Sequence, residues 1–138
     1  METQKLLVLE NDEFNFILLE ELLIPLNTQI IRAKNYEEVF LFITSEIQLD
    51  LAILDIKIEN HSKGISIMEE INKYRPDLKI IITTASMNAG DFQKQATSII
   101  FQEYFYKPIN IEKFISAVES YLSKDYLKTN KCRKEYSF

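Results

Sequence analysis

The chain has 138 residues and is poor in the residue types that build special sites: two glycines, three prolines, one cysteine and one histidine. With Cys132 as the only cysteine, no intramolecular disulfide can form, which fits a reducing, cytoplasmic setting and leaves Cys132 a free thiol. With His61 as the only histidine, a histidine-based phosphoryl donor is not expected, and His61 reads as a solvated loop residue. Two glycines leave no phosphate-cradling loop after the first strand, which argues against a flavin site. No apolar run is long enough to cross a bilayer, so no membrane association is expected. Met1-Glu2-Thr3-Gln4 leads straight into a strand pattern, so no signal peptide is expected. A net charge of −5 argues against nucleic acid as a partner. Internal repeats and low-complexity segments are absent.

What is present is the composition of an ordinary globular domain, 46% apolar and 27% charged. Its centre is Leu51-Ala52-Ile53-Leu54-Asp55, four apolar residues running into one carboxylate. Such a run reads as a strand buried on both faces of a parallel sheet. An ionised carboxylate is costly inside such a strand, so Asp55 belongs at its C-terminal end, where chemistry collects in open α/β sheets. Asp55 is therefore a candidate nucleophile toward phosphate.

In chain order, Lys5–Leu9 is a first buried strand ending in Glu10-Asn11-Asp12-Glu13. A helix follows from Phe14 to Leu23, with Phe14, Ile17, Leu18 and Leu22 as its apolar side. Pro25 ends it, and Asn27 can take the left-handed turn. Gln29–Ala33 is the second strand; Asn35 caps the next helix, with Glu38 in a capping-box position and Val39, Phe40, Ile43 and Ile47 inward. After the third strand comes a polar loop to Gly64, then a helix from Ile65 to Tyr74 with Ile67, Met68 and Ile71 inward. Lys79–Thr84 is a fourth strand. A weakly patterned helix runs to about Ile100, and Tyr104–Tyr106 is a fifth strand closed by Lys107-Pro108. Asn110 caps a last helix, with Ile111, Ile115, Val118 and Leu122 on one face.

Five alternations of strand and helix predict an α/β domain over residues 1–124: a five-stranded parallel sheet with helices on both faces, doubly wound in the flavodoxin-like order 2-1-3-4-5. The switch point between strands one and three then brings Glu10-Asn11-Asp12 beside Asp55. Residues 125–138 read as a solvated extension of the last helix; from Lys124 onward Lys124, Lys128, Lys131, Arg133 and Lys134 stand against Asp125 and Glu135.

Five spaced features together carry a resemblance: the acidic cluster after strand one, Asp55 after strand three, Thr84-Ala85 after strand four, Tyr104 in strand five, and Lys107-Pro108 after it. Over roughly Lys5 to Lys124 the chain resembles the receiver domains of two-component response regulators. The resemblance implies that Asp55 is the phosphoacceptor. It implies that Glu10, Asn11, Asp55 and the backbone carbonyl of Lys57 hold Mg²⁺. Thr84, with Ala85, matches the switch position; Tyr104 matches the switch aromatic and Lys107 the phosphate-contacting lysine. Pro108 is a candidate cis proline.

Three positions depart from the family pattern. Asn11 stands where a metal-ligating carboxylate is expected, so Mg²⁺ binding is expected to be weaker; Asp12 is adjacent but points elsewhere on an extended backbone. The segment before strand five reads Ser98-Ile99-Ile100-Phe101 rather than a small turn, and the loop after Asp55 lacks the common Met-Pro.

The function implied is a stand-alone response regulator receiver, taking a phosphoryl group from a histidine kinase or phosphotransfer protein and switching a protein–protein surface. Pairing of two copies through the helix before strand five, strand five and the last helix is the implied oligomer. The alternative is a degenerate receiver that binds partners without phosphorylation. An aspartate-nucleophile phosphatase fits less well, because Lys57 stands where such enzymes carry a second aspartate; the chain is not expected to be a turnover enzyme.

Overall fold

The computed structural model describes residues 3–57, 61–85 and 99–123. Its strands are β1 (Lys5–Leu9), β2 (Gln29–Ala33), β3 (Leu51–Asp55), β4 (Ile80–Thr84) and β5 (Glu103–Tyr106). All pair in parallel, in the order β2-β1-β3-β4-β5. This is the doubly wound order expected from the alternation of elements, with β1 and β3 side by side at its centre. The described helices are α1 (Glu13–Leu23), α2 (Tyr36–Ile43), α3 (His61–Tyr74) and α4 (Ile111–Leu122). The helix expected before Ile100 falls largely on residues 86–98, outside the described residues. The basic tail and Cys132 lie outside them as well.

Successive strand side chains point to opposite faces, so the sheet divides the core in two. Leu7, Leu9, Ala52, Leu54, Ile80 and Ile82 face α2 and α3, meeting Val39, Ile43, Ile67, Met68 and Ile71. Leu6, Val8, Leu51, Ile53 and Ile81 face α1 and α4, meeting Leu23, Phe114, Val118 and Tyr121. β3 is buried along its whole length, and Asp55 is its last residue.

Short polar side chains start three of the helices. Asp12 Oδ1 accepts from the Asn15 amide at 2.8 Å, Asn35 Oδ1 from Glu38 at 2.8 Å, and Asn110 Oδ1 from Lys113 at 3.0 Å. Glu38 reaches back as a capping box would, but its Oε1 takes the Lys34 amide, one residue before the cap. α1 gives way at Pro25 to a single tight turn, and Asn27 takes the left-handed conformation with φ 52°. At the far end of α2, Arg75 donates to the carbonyls of Ile43 at 2.9 Å and Ser45 at 2.8 Å.

Four expectations are corrected. α1 does not bury Phe14, Ile17 and Leu18, which are 68%, 52% and 48% exposed; Phe16, Leu19 and Leu23 face the core instead. Most of α1 is apolar, so the helical period alone does not choose the face. α2 ends at Ile43, leaving Ile47 beyond the helix, and Phe40 is largely outside. α3 begins at His61 rather than Ile65. α4 is rotated: it buries Phe114, Ala117, Val118 and Tyr121 and leaves Ile111 exposed. An aromatic pair drives that rotation, since Phe114 meets Phe105 of β5 edge to face at 5.4 Å.

Gly64, in the first turn of α3, is a close approach. A Cβ there would lie 2.9 Å from Ile56 Cγ2 and 3.0 Å from Ile56 Cδ1, tighter than any side chain tolerates without movement. Ile56 directly follows Asp55, so the missing side chain lets α3 seat against the end of β3.

Candidate functional site

The site forms where β1, β3, β4 and β5 end. Leu9 pairs with Leu54, so Glu10 and Asp55, the next residues, emerge side by side. Both are buried, at 4% and 8% exposure. Lys107 closes the group from the end of β5: its amide donates to the Thr84 carbonyl at 2.8 Å, and its peptide bond to Pro108 is cis. Its Nζ lies 3.3 Å from Glu10 Oε1 and 3.3 Å from Asp55 Oδ1. One cation thus stands between two buried carboxylates.

Glu10 is held at every polar atom. Its amide donates to Ala33 O at 3.1 Å, and its Oε2 accepts from the Asp12 amide at 3.1 Å. Burial pushes the Glu10 carboxyl above the usual glutamate range, and the charge of Asp55 pushes the same way; Lys107 and the Asp12 amide pull against them. Asp12 turns its carboxylate to the start of α1, away from the group.

Asn11 and Lys57 do not join this tight cluster. With Asp55, they line a cavity of about 260 Å³ whose other walls include Lys34, Asn35, Tyr36 and Lys63. Asn11 is exposed there, and Lys57 is half-buried. Thr84 is buried at the end of β4 and Ala85 is exposed just after it. Tyr104 pairs with Ile82, and Tyr106 with Thr84. The two tyrosine rings meet at 5.3 Å, edge to face. Burial first, and then Tyr106, pushes the Tyr104 hydroxyl up to about 12.

The groups that could hold a cation here are all oxygen: the Glu10 and Asp55 carboxylates and, on the adjoining cavity, the Asn11 amide and the Lys57 carbonyl. That chemistry suits a small hard cation such as Mg²⁺, which is held through one or two carboxylates and keeps several waters. Among the described residues, no three histidine, cysteine, aspartate or glutamate side chains gather as a metal cluster.

Two neighbours of the site escaped the sequence reading. Tyr106 stands across from Thr84 and against Tyr104. Arg32, in β2, reaches over β1: its Nε and Nη2 donate to Glu10 O at 3.1 and 3.0 Å. The available signal for Arg32 was a lone cation between apolar residues in the strand Gln29-Ile30-Ile31-Arg32-Ala33.

Comparison with known proteins bears on the fold and the family. The model of the response regulator receiver domain family matches residues 6–119. No curated protein sequence matches the chain. Among solved structures, a response regulator from Thermotoga maritima superposes with a TM-score of 0.75 at 20% identity, over 89% of this chain and 100% of that one. A receiver domain protein from Methanospirillum hungatei JF-1 gives 0.73 at 20% identity, over 92% and 99% of the two chains. One from Clostridium thermocellum gives 0.74 at 22% identity, over 90% and 98%. At these identities the structural likeness speaks for the fold, and the family model for the family: the chain belongs to the response regulator receiver domains of two-component signal transduction.

Proposed function

We propose that this receiver accepts a phosphoryl group on Asp55 from a histidine kinase or phosphotransfer protein, in the cytoplasm, and reports it through a protein–protein surface. The observation that carries the reading is Lys107 Nζ at 3.3 Å from both Asp55 and Glu10. A carboxylate attacking a phosphoryl group brings anion toward anion, and a fixed ammonium offsets that repulsion. An Asp55 carboxylate oxygen forms the new O–P bond while the donor's P–N bond breaks, its electron pair leaving with the imidazole nitrogen. Bound Mg²⁺ supplies further charge compensation. Asp55, Glu10, the Asn11 amide oxygen and the Lys57 carbonyl would hold it.

The new phosphoryl oxygens are acceptors for the Lys107 ammonium and the Thr84 hydroxyl. Thr84 lies on the same sheet face as Tyr104 and Tyr106 by strand alternation and register, so a shift of the β4 end reaches the aromatic pair on β5. That couples the charge at Asp55 to the surface around β5. Across the family such domains act as switches, generally without turnover. Among the described residues no helix is long and apolar enough to cross a membrane.

Asn11 favours a second reading, a receiver that binds partners without being phosphorylated. An amide carries no charge toward Mg²⁺ and is exposed at the cavity mouth. The two readings separate on intact mass after incubation with acetyl phosphate, with and without Mg²⁺, for the native chain and Asp55→Asn. A Mg²⁺-dependent gain of one phosphoryl group, lost in Asp55→Asn, establishes the first reading; no gain under any condition leaves the second.

A further inference from the structure

Arg32 projects from β2, opposite Val8 of β1, and its side chain is only 15% exposed. Its guanidinium serves four groups at once. Nε and Nη2 both donate to the Glu10 carbonyl, at 3.1 and 3.0 Å, and Nη2 also reaches the Asn11 carbonyl at 3.5 Å. Nη1 pairs with Glu13 Oε1 at 2.8 Å, and the guanidinium carbon stands 4.2 Å from the centre of the Phe16 ring.

This arrangement gives β2 control of the Glu10 backbone. The amide of Glu10 is tied to Ala33 O and its carbonyl to Arg32, neighbours on β2. With both backbone groups fixed, the Glu10 carboxylate is aimed at Lys107 and Asp55. The peptide that leads to Asn11 is fixed with it. We propose that Arg32 is a positioning residue for the metal: by clamping the Glu10–Asn11 peptide from β2, it sets the affinity of the site for Mg²⁺. The proposal rests on the Mg²⁺ site assigned to Glu10, Asn11, Asp55 and Lys57 above.

Geometry and charge make opposite demands here, which allows a clean test. A guanidinium near the site repels a cation, so a purely electrostatic Arg32 weakens Mg²⁺ binding; a clamping Arg32 strengthens it. Lysine keeps the charge but is a point donor that cannot span Glu10, Asn11 and Glu13 together. Methionine removes both charge and clamp while keeping an apolar contact with Phe16.

The experiment is a Mg²⁺ titration of the full chain, followed by the amide NMR signals of Asn11 and Asp12, for the native protein, Arg32→Lys and Arg32→Met. Residues that orient metal ligands typically change affinity by roughly ten- to a hundredfold when removed. Arg32→Lys is expected to weaken Mg²⁺ binding by about tenfold, and Arg32→Met by at least as much. Unchanged affinity in Arg32→Lys overturns the proposal, and so does tighter binding in Arg32→Met. If neither variant gives a folded spectrum, Glu13→Gln replaces them: it removes the ion pair with Arg32 at 2.8 Å, together with a longer and more exposed one to Lys34 at 3.8 Å, and should weaken binding by about two- to threefold, and no change overturns the proposal. A native chain whose signals ignore Mg²⁺ overturns the metal site and Arg32's part in it together. A native response that the variants leave untouched overturns Arg32 alone.

Discussion

The Lys107 ammonium stands 3.3 Å from Asp55 Oδ1, although 52 positions separate the two residues in the chain. Glu10 Oε1 lies at the same distance on its other side. Removing this cation leaves two buried carboxylates facing each other. Lys107→Met is therefore expected to cost about 2 kcal/mol at pH 7, less than a fully buried pair because Lys107 is partly solvated. The loss shrinks at pH 4, where Glu10 takes up a proton. Urea denaturation at the two pH values checks this.

Glu10 itself has a pH signature. Its carboxyl is raised above 4.5 in the folded state, by burial first and Asp55 second. The folded chain therefore binds a proton more readily than the unfolded chain, and ionising Glu10 opposes folding as pH rises above 4.5. Glu10→Gln is expected to raise the melting temperature at pH 7 relative to the native protein, with the gain vanishing below pH 4.5. A constant difference across that range would assign the effect to packing rather than charge.

Tyr104 titrates late, near 12 instead of 10. The sign follows from its neutral form being favoured in the fold. Stability from this group is intact below pH 10 and is lost as pH rises from 10 toward 12. Phenolate absorbance should show an ionisation step near pH 12, and that step should disappear in Tyr104→Phe. The mutant should also lose less stability than the native chain between pH 10 and 12.

Arg75 closes the C-terminal end of α2 through the carbonyls of Ile43 and Ser45. Each such bond contributes on the order of 1 kcal/mol, and the freed Ile43 carbonyl is partly buried while that of Ser45 is exposed. Arg75→Ala is expected to destabilise by about 2 kcal/mol. Because Arg75 lies outside the cluster around Asp55, the Mg²⁺ affinity of the variant should match the native value, as read by the same titration used for Arg32.

Strand order and the convergence on Asp55 were readable in advance, because buried parallel strands announce themselves as short apolar runs and the topology does the rest. Helix faces were harder. α1 carries Phe14, Phe16, Ile17, Leu18, Leu19, Leu22 and Leu23, so the sequence offers several apolar stripes and only the sheet selects Phe16, Leu19 and Leu23. In α4 the choice was made by Phe105, a residue on another element. Arg32 could not be placed from its own neighbourhood: its partners Glu10 and Asn11 precede it by a helix and a turn, and only the pairing of β2 with β1 brings them within reach.

The bare α-carbon of Gly64 has a mechanical consequence. Ile56 follows Asp55 and is fully buried, and even a methyl group at Gly64 would force the Ile56 side chain to shift. A close-packed joint of this kind transmits displacement rather than absorbing it. The end of β3 and the first turn of α3 therefore behave as a seated hinge pin, in which a shift of the Asp55–Ile56 peptide is handed directly to a fourteen-residue lever.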